Sequence, residues 1–457
     1  MRRATLALAL ALGACMPASE GETPTRAAMI AESSLPPMRS FAATRPAPTA
    51  ASNTEIARDF LDLAFTLESG RELERFTRFE GPIRVRVTGA PKPMLQRDLD
   101  RLLARLRAEA GIDIARAAQG SRSAEVTVEA VPRREIRRYL PQAACFVVPN
   151  VGSLREYARS RQSGRINWSA MTTRKRVSVF VPGDASPQEV RDCLHEELAQ
   201  AIGPLNDLYR LPESVFNDDN VHTVLTGFDM LVLRAFYDPA LRSGMSRDAV
   251  AARLPGVLDR LNPAGAFGGP APSEATPRRW IEAVQAALGP GTPDREAAAR
   301  RALSIAEARG WTDHRRGFSH YAMGRILQGR DLEAALAQFR AAEGYFARSP
   351  RTQLHRAYVI SQLAAHAIVQ NRPEAALIRL EPGIASAERH ENAALLATLL
   401  MLRAEALELS GRDSEARAVR LDSLGWARYG FGSDEAVRAK LEEIAALNPL
   451  KRRTPGS

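Results

Sequence analysis

The chain has 457 residues, is 45% hydrophobic and 25% charged, and carries a formal net charge of +10. That composition suits globular structure in roughly two to four domains. The charge is almost all arginine, with lysine only at Lys92, Lys175, Lys440 and Lys451 and no dense basic block interleaved with aromatics, which excludes nucleic acid as the expected partner.

At the N-terminus Arg2 and Arg3 precede the apolar run "ATLALALAL" (Ala4 to Leu12), which ends in "LGAC" at Cys15. The run is a secretory signal, too short to span a bilayer, and no other segment carries 18 or more apolar residues. Its ending resembles the bacterial lipoprotein cleavage box. The resemblance implies a signal peptide over residues 1–15 and lipidation of Cys15, with a plain signal peptide as the alternative. Met16 in place of aspartate favours the outer membrane. The expected location is therefore the bacterial cell envelope, with a lipid anchor in the membrane and the chain facing the periplasm. Residues 16–53, rich in Pro, Ala, Ser and Thr, read as a disordered tether. Cys145 and Cys193 remain, and in an oxidising compartment they read as one disulfide, or else as two buried thiols.

Residues 54–262 read as a mixed domain. "TEIARDFLDLAF" has helical spacing; "PIRVRVTG" (Pro82 to Gly89), "AEVTVEAV" (Ala124 to Val131), "ACFVVP" (Ala144 to Pro149) and "RKRVSVFVPG" (Arg174 to Gly183) read as strands. The stretch from Pro93 to Gly111 carries an apolar stripe of Leu95, Leu99, Leu102, Leu103 and Leu106 and predicts a helix stopped by Gly111. "SPQEVRDCLHEELAQAIG" predicts another, with Ser186 as N-cap, Pro187 first, Glu189 completing a capping box and Gly203 at its end.

Residues 263–293 are rich in Gly and Pro around one short helix and read as a linker. Residues 294–449 are helical and repeat: Ala334, Ala375 and Ala416 are 41 residues apart, each after a turn residue and a glutamate. The pattern resembles tetratricopeptide repeats with lengthened helices. Trp426, Tyr429 and Phe431 in "LDSLGWARYGFGS" are expected to cap the stack or meet a partner, and residues 450–457 form a disordered tail.

The chemistry concentrates in "CLHEELAQAIGPLND". A zinc-hydrolase helix needs two histidines four apart and a glutamate beside the first. With His195 and Glu196 as the opening pair, Ala199 stands where the second histidine belongs. Moved on by one, Glu196 takes the first ligand place, Glu197 the general base, Gln200 the second ligand, Gly203 the turn, and Asn206 the third ligand, with Asp207 adjacent. Glu196, Gln200 and Gly203 share one helix face. This frame resembles the long pattern of metzincin proteases, with Phe216 of "SVFND" where their turn methionine would stand. The whole stretch closely resembles the domain of unknown function 2927 family of envelope lipoproteins. The resemblance implies a zincin-like fold over roughly Thr54 to Tyr237 and brings no proven chemistry.

The expected architecture is thus an α+β zincin-like domain followed by an all-α tetratricopeptide-like solenoid. Glu196, Gln200 and Asn206 or Asp207 offer oxygen only, so a divalent metal there would be calcium or magnesium rather than zinc; Asp218, Asp219 and Asp229 lie near in sequence. The expected function is a non-catalytic envelope lipoprotein whose repeats bind an unknown protein partner. The alternative is a metal-dependent peptidase using Glu-Glu-x-x-Gln-x-x-Gly-x-x-Asn, with Glu197 as general base.

Overall fold

The computed structural model describes residues 33, 35–42, 47–121, 123–267 and 274–451; the expected signal peptide, lipobox and Cys15 lie outside them. Helix α1 (Asn53–Phe65) begins at Ser52, whose side chain accepts from the Glu55 amide while the Glu55 carboxylate accepts from the Ser52 amide. There follow β1 (Ile83–Gly89), α2 (Pro93–Ala110), β2 (Ile114–Arg116), β3 (Val126–Val131), α3 (Arg133–Tyr139), β4 (Phe146–Pro149), α4 (Leu154–Ser160), β5 (Val177–Pro182), α5 (Pro187–Ile202), α6 (Gly227–Phe236), α7 (Arg247–Ala251) and α8 (Leu254–Leu261).

The strands make one sheet in the order β2-β1-β3-β5-β4, with β4 antiparallel to β5 at one edge and every other pairing parallel. The sequence pattern predicts β1, β3, β4 and β5; β2, with three residues, is too short to show a period. Strand β5 is buried along its length, as a central strand covered on both faces requires. Val177, Val179 and Val181 join the main core with the leucine stripe of α2 and with Leu194 and Leu198 of α5. Phe180 faces the other way, into a smaller core with Ile136, Phe146, Leu154 and Tyr157. Helix α5 starts as predicted, with the Ser186 side chain accepting from the Glu189 amide at 3.2 Å. The expected capping box is only half made. The Glu189 carboxylate turns to the Arg133 guanidinium, a charge-assisted partner stronger than one backbone amide.

Beyond residue 273 the described chain is all helical: α9 (Arg278–Leu288), α10 (Arg295–Ala308), α11 (His314–Leu327), α12 (Leu332–Phe346), α13 (Gln353–Val369), α14 (Pro373–Arg389), α15 (Ala393–Leu409), α16 (Asp413–Gly430) and α17 (Asp434–Ala445). Each helix packs on the next, and α9 also meets α11, α13 meets α15, and α15 meets α17. Small residues allow the close contacts. A Cβ on Gly324 of α11 would stand 2.6 Å from the Phe339 ring.

Several expected boundaries move. The helix inside the proposed linker is α9, and it belongs to the array. Trp280 is fully buried, 5.2 Å from the Tyr209 ring and 5.5 Å from Trp311, and its Nε1 donates to Ser319. The flanking Gly and Pro dominated the composition and hid one tryptophan. The end of the expected tether also packs. The Arg39 amide donates to the Gly425 carbonyl at 3.0 Å, Arg428 donates to the Pro36 carbonyl at 2.9 Å, and Phe41 stacks on Trp426 at 4.4 Å. Trp426 and Tyr429 therefore serve neither as a terminal cap nor as a free surface; α17 follows them, and Tyr429 donates to Asp98 of α2 at 2.8 Å. In the expected tail, Lys451 pairs with Glu405 and Glu408, both at 2.7 Å. The described residues from Leu35 onward form one compact unit.

Candidate functional site

Helix α5 is buried on nearly every side, and its end is fixed by Arg174. The guanidinium donates to the carbonyls of Gln200 at 2.7 Å, Ala201 at 2.9 Å and Gly203 at 2.5 Å, and lies 5.3 Å from the Trp168 ring. These are the carbonyls that a helix end leaves without partners. Burial brings the Arg174 pKa down to about 10, so it stays charged at neutral pH. The chain then turns at Gly203, where a Cβ would stand 2.6 Å from Leu233. Past the turn it is tied to the end of α1. The Leu205 amide donates to the Leu63 carbonyl at 3.0 Å, and the Asn206 amide side chain to the Asp62 carbonyl at 3.1 Å. Arg210 reaches both Asp59 at 2.8 Å and Asp62 at 2.6 Å.

This path separates the two candidates for the third ligand. Asn206 is turned onto α1. Asp207 faces a cleft of about 890 Å3, which Glu196, Glu197, Gln200, Asp218 and Glu68 also line. Further walls come from the segment leading into β4, from Trp168, from Leu205 and Asn220, and from Gln285 of α9. No Lys, Arg or His is among the described residues that line it. Glu197 is 6% exposed and makes no hydrogen bond or ion pair with any described residue. The Gln200 amide nitrogen donates to Asp207 at 3.2 Å, while Asp207 Oδ1 is buried with no partner among the described residues.

Burial among like charges raises the pKa values of four of these carboxylates. Burial, with Asp218 and Glu68 nearby, pushes Glu196 up to about 8. Burial and then Glu196 raise Glu197 well above its ordinary value. Asp207 is raised well above its own, by burial and by the nearby Glu196, Glu68 and Asp218. Asp218 rises to about 6 through burial and the charges of Glu68 and Asp219. Among the described residues no three His, Cys, Asp or Glu side chains converge on one point.

Other residues near the motif serve elsewhere. His195 is buried, and its Nδ1 accepts from the Leu225 amide at 3.0 Å. Asp229 caps α6 and accepts from Ser214 and the Val215 amide, which fixes the turn that buries Phe216 in the core. Asp219 accepts from His355 Nε2 at 2.8 Å. His222 does not reach the cleft; its ring stands 5.3 Å from His390 and 6.1 Å from His355. The His314 ring is 5.8 Å from His355, and its Nε2 donates to the Tyr209 carbonyl at 2.8 Å. The loop after α5 is thus seated on α11 and α13. Glu68 escapes sequence reasoning altogether, since nothing in "LESG" marks it.

Cys145 and Cys193 form a disulfide that joins the wall of the cleft to α5. It closes a separation of 48 residues, for which the chain-entropy relation gives about 4 kcal/mol. Replacing both cysteines by serine is expected to lower unfolding free energy by about that amount in a urea titration. A loss under about 1 kcal/mol would mean that the bridge adds little to the fold.

Residues 53–256, from α1 into α8, match the family described as "Protein of unknown function (DUF2927)". The helical array lies outside the match. A search of curated proteins found no match.

Proposed function

We propose that the chain is a cell-envelope lipoprotein, lipidated at Cys15 and held at the outer membrane, whose zincin-like domain uses its cleft to bind a hard divalent cation rather than to cut peptides with zinc. The observation that carries the reading is the cleft itself. Five carboxylates, Glu68, Glu196, Glu197, Asp207 and Asp218, face one space with no basic side chain among its described lining. Holding like charges together away from water is costly, and a bound cation offsets the cost. The donor chemistry does not fit zinc, which favours nitrogen and sulfur. His195 and His222 are both engaged away from the cleft. Oxygen donors fit calcium, which takes 6–8 of them, or magnesium. Glu196, Asp207 and the Gln200 amide oxygen would hold the ion, with the Gln200 amide turned over from its present bond to Asp207 and water completing the shell, since no three of the described carboxylates converge on one point. When bound, the ion supplies charge neutralisation and ties the loop after Gly203 to α5.

The helical array fits a tetratricopeptide-like stack: helices pack in chain order, with every second one also in contact at three places. We assign it the engagement of a protein partner. Part of its surface already holds the loop carrying Tyr209, Asp219 and His222.

The test is calorimetry on residues 16–457 with calcium, magnesium and zinc chlorides after chelation. One calcium or magnesium per chain is expected, weakened at least tenfold in both Glu196→Gln and Asp207→Asn. Zinc at one per chain, bound more tightly and lost in the same variants, would instead favour the second reading. That reading is a hydrolase with Glu197 as base, and Glu197→Gln would then abolish turnover without loss of the ion. Binding of no cation would sink both.

A further inference from the structure

A second cavity, of about 330 Å3, lies between residues 219–221 and the helices α9 to α13. That volume is at the low end of ligand pockets, which run from about 300 to 1,000 Å3. Its walls are aromatic: Phe318 and Tyr321 of α11, Phe346 of α12 and Tyr358 of α13. Two guanidiniums, Arg295 and Arg325, border it, and both residues are exposed. Arg295 is held by the carbonyls that end α9, Ala287 at 2.7 Å and Leu288 at 3.3 Å. Arg325 is held by the Tyr321 hydroxyl at 3.2 Å. Neither pairs with a carboxylate among the described residues.

Among the described residues that line the cavity, the one carboxylate is already engaged. Asp219 accepts from His355 Nε2 at 2.8 Å, from the Asn217 side chain at 2.8 Å and from the Val221 amide at 3.0 Å. His355 lines the cavity with its side chain 1% exposed, and its Nδ1 has no partner among the described residues.

We propose that this cavity binds a small aromatic carboxylate, with its ring among Phe318, Tyr321 and Phe346 and its carboxylate on Arg295 and Arg325. Aromatic walls favour a flat apolar body through offset and edge contacts. Planar guanidiniums favour a carboxylate, which accepts two parallel bonds. A neutral aromatic would leave the two positive charges at the cavity without a counter-charge, and a phosphorylated sugar would leave the rings without a flat apolar partner. The group is either a free acid or the C-terminal aromatic residue of a peptide; both present the same chemistry. Asn220 lines this cavity and the carboxylate cleft alike, but the proposal does not depend on a cation being bound.

The probes are N-acetylphenylalanine, its amide, and the tripeptide Gly-Gly-Phe, titrated into residues 16–457 by calorimetry and by saturation-transfer NMR. The acid is expected to bind at least tenfold more tightly than the amide. Arg295→Gln and Arg325→Gln, both at exposed positions and expected to fold, should each weaken the acid several-fold and leave the amide unchanged. Tighter binding of the tripeptide than of the acetylated acid identifies a chain terminus as the source; the reverse order identifies a free acid. Absence of binding by both acids up to about 10 mM, equal affinity of acid and amide, or an unchanged affinity in the double arginine variant would each overturn the proposal.

Discussion

Replacing Arg174 by methionine is expected to remove about 3–6 kcal/mol of folding stability, a large share of what a domain of this size commands. The side chain is buried, and its guanidinium gathers the Gln200, Ala201 and Gly203 carbonyls at the end of α5. Methionine is long enough to fill much of the hydrocarbon path. It cannot donate, so three carbonyls lose their partner at about 1–3 kcal/mol each, offset in part where water enters. The loss is not only one of stability. These carbonyls set where the chain leaves α5, and that exit carries Asp207 into the cleft. Lysine keeps the charge but not the fork, and should recover about half of the loss. Urea unfolding of the parent, Arg174→Lys and Arg174→Met, each at pH 7, gives the order directly. A methionine variant within about 1 kcal/mol of the parent would mean that Arg174 does not hold the helix end.

Arg174 also shows why the site was only partly legible. The helix of the motif could be read because its information is local: an N-cap at Ser186, a proline at its first turn, a periodic apolar face and a glycine at its end. The strands β3 and β5 could be read for the same reason. A single arginine before β5 carries no signal in a chain whose basic charge is nearly all arginine. The choice between Asn206 and Asp207 was closed to sequence as well. Helical period stops at Gly203, and what aims the next residues is contact with the end of α1, far upstream. Glu68 joins the cleft by the same long-range path. The histidines are the clearest case. His222, His314, His355 and His390 are spread over both parts of the chain and meet only when the loop after α5 is seated on the helices.

His222, His314 and the cleft carboxylates give the chelated protein opposing pH dependences below about pH 6.5 and a fall in stability toward pH 8. His222 lies well below 6.5 because it is buried and has His390 and His355 beside it, and His314 is brought down to about 4 by burial against the opposing pull of Asp313. Below pH 6.5 the unfolded chain takes up protons at these positions that the folded chain refuses, so their contribution is lost as pH falls. The carboxylates act in the opposite sense. Glu196, raised from 4.5 to about 8, keeps a proton in the fold that the unfolded chain releases, so its contribution is full below about 4.5 and is lost as pH rises to 8. Glu197 and Asp207 are raised with it. Between 4.5 and 6.5 the two sets oppose each other. The histidines cease to titrate by about pH 7.5, and Glu196 alone accounts for a fall of about 1–2 kcal/mol between pH 6.5 and 8. Urea unfolding in a chelating buffer at pH 5, 6.5 and 8.5 tests the profile. Glu196→Gln should flatten the alkaline side. His314→Gln, which keeps an N–H for the Tyr209 carbonyl, should make the protein gain stability on going from pH 6.5 to 5. Stability that stays level or rises from pH 6.5 to 8.5 would mean that the cleft carboxylates are ionised in the fold without a cation, and the electrostatic basis for cation binding there would go with it.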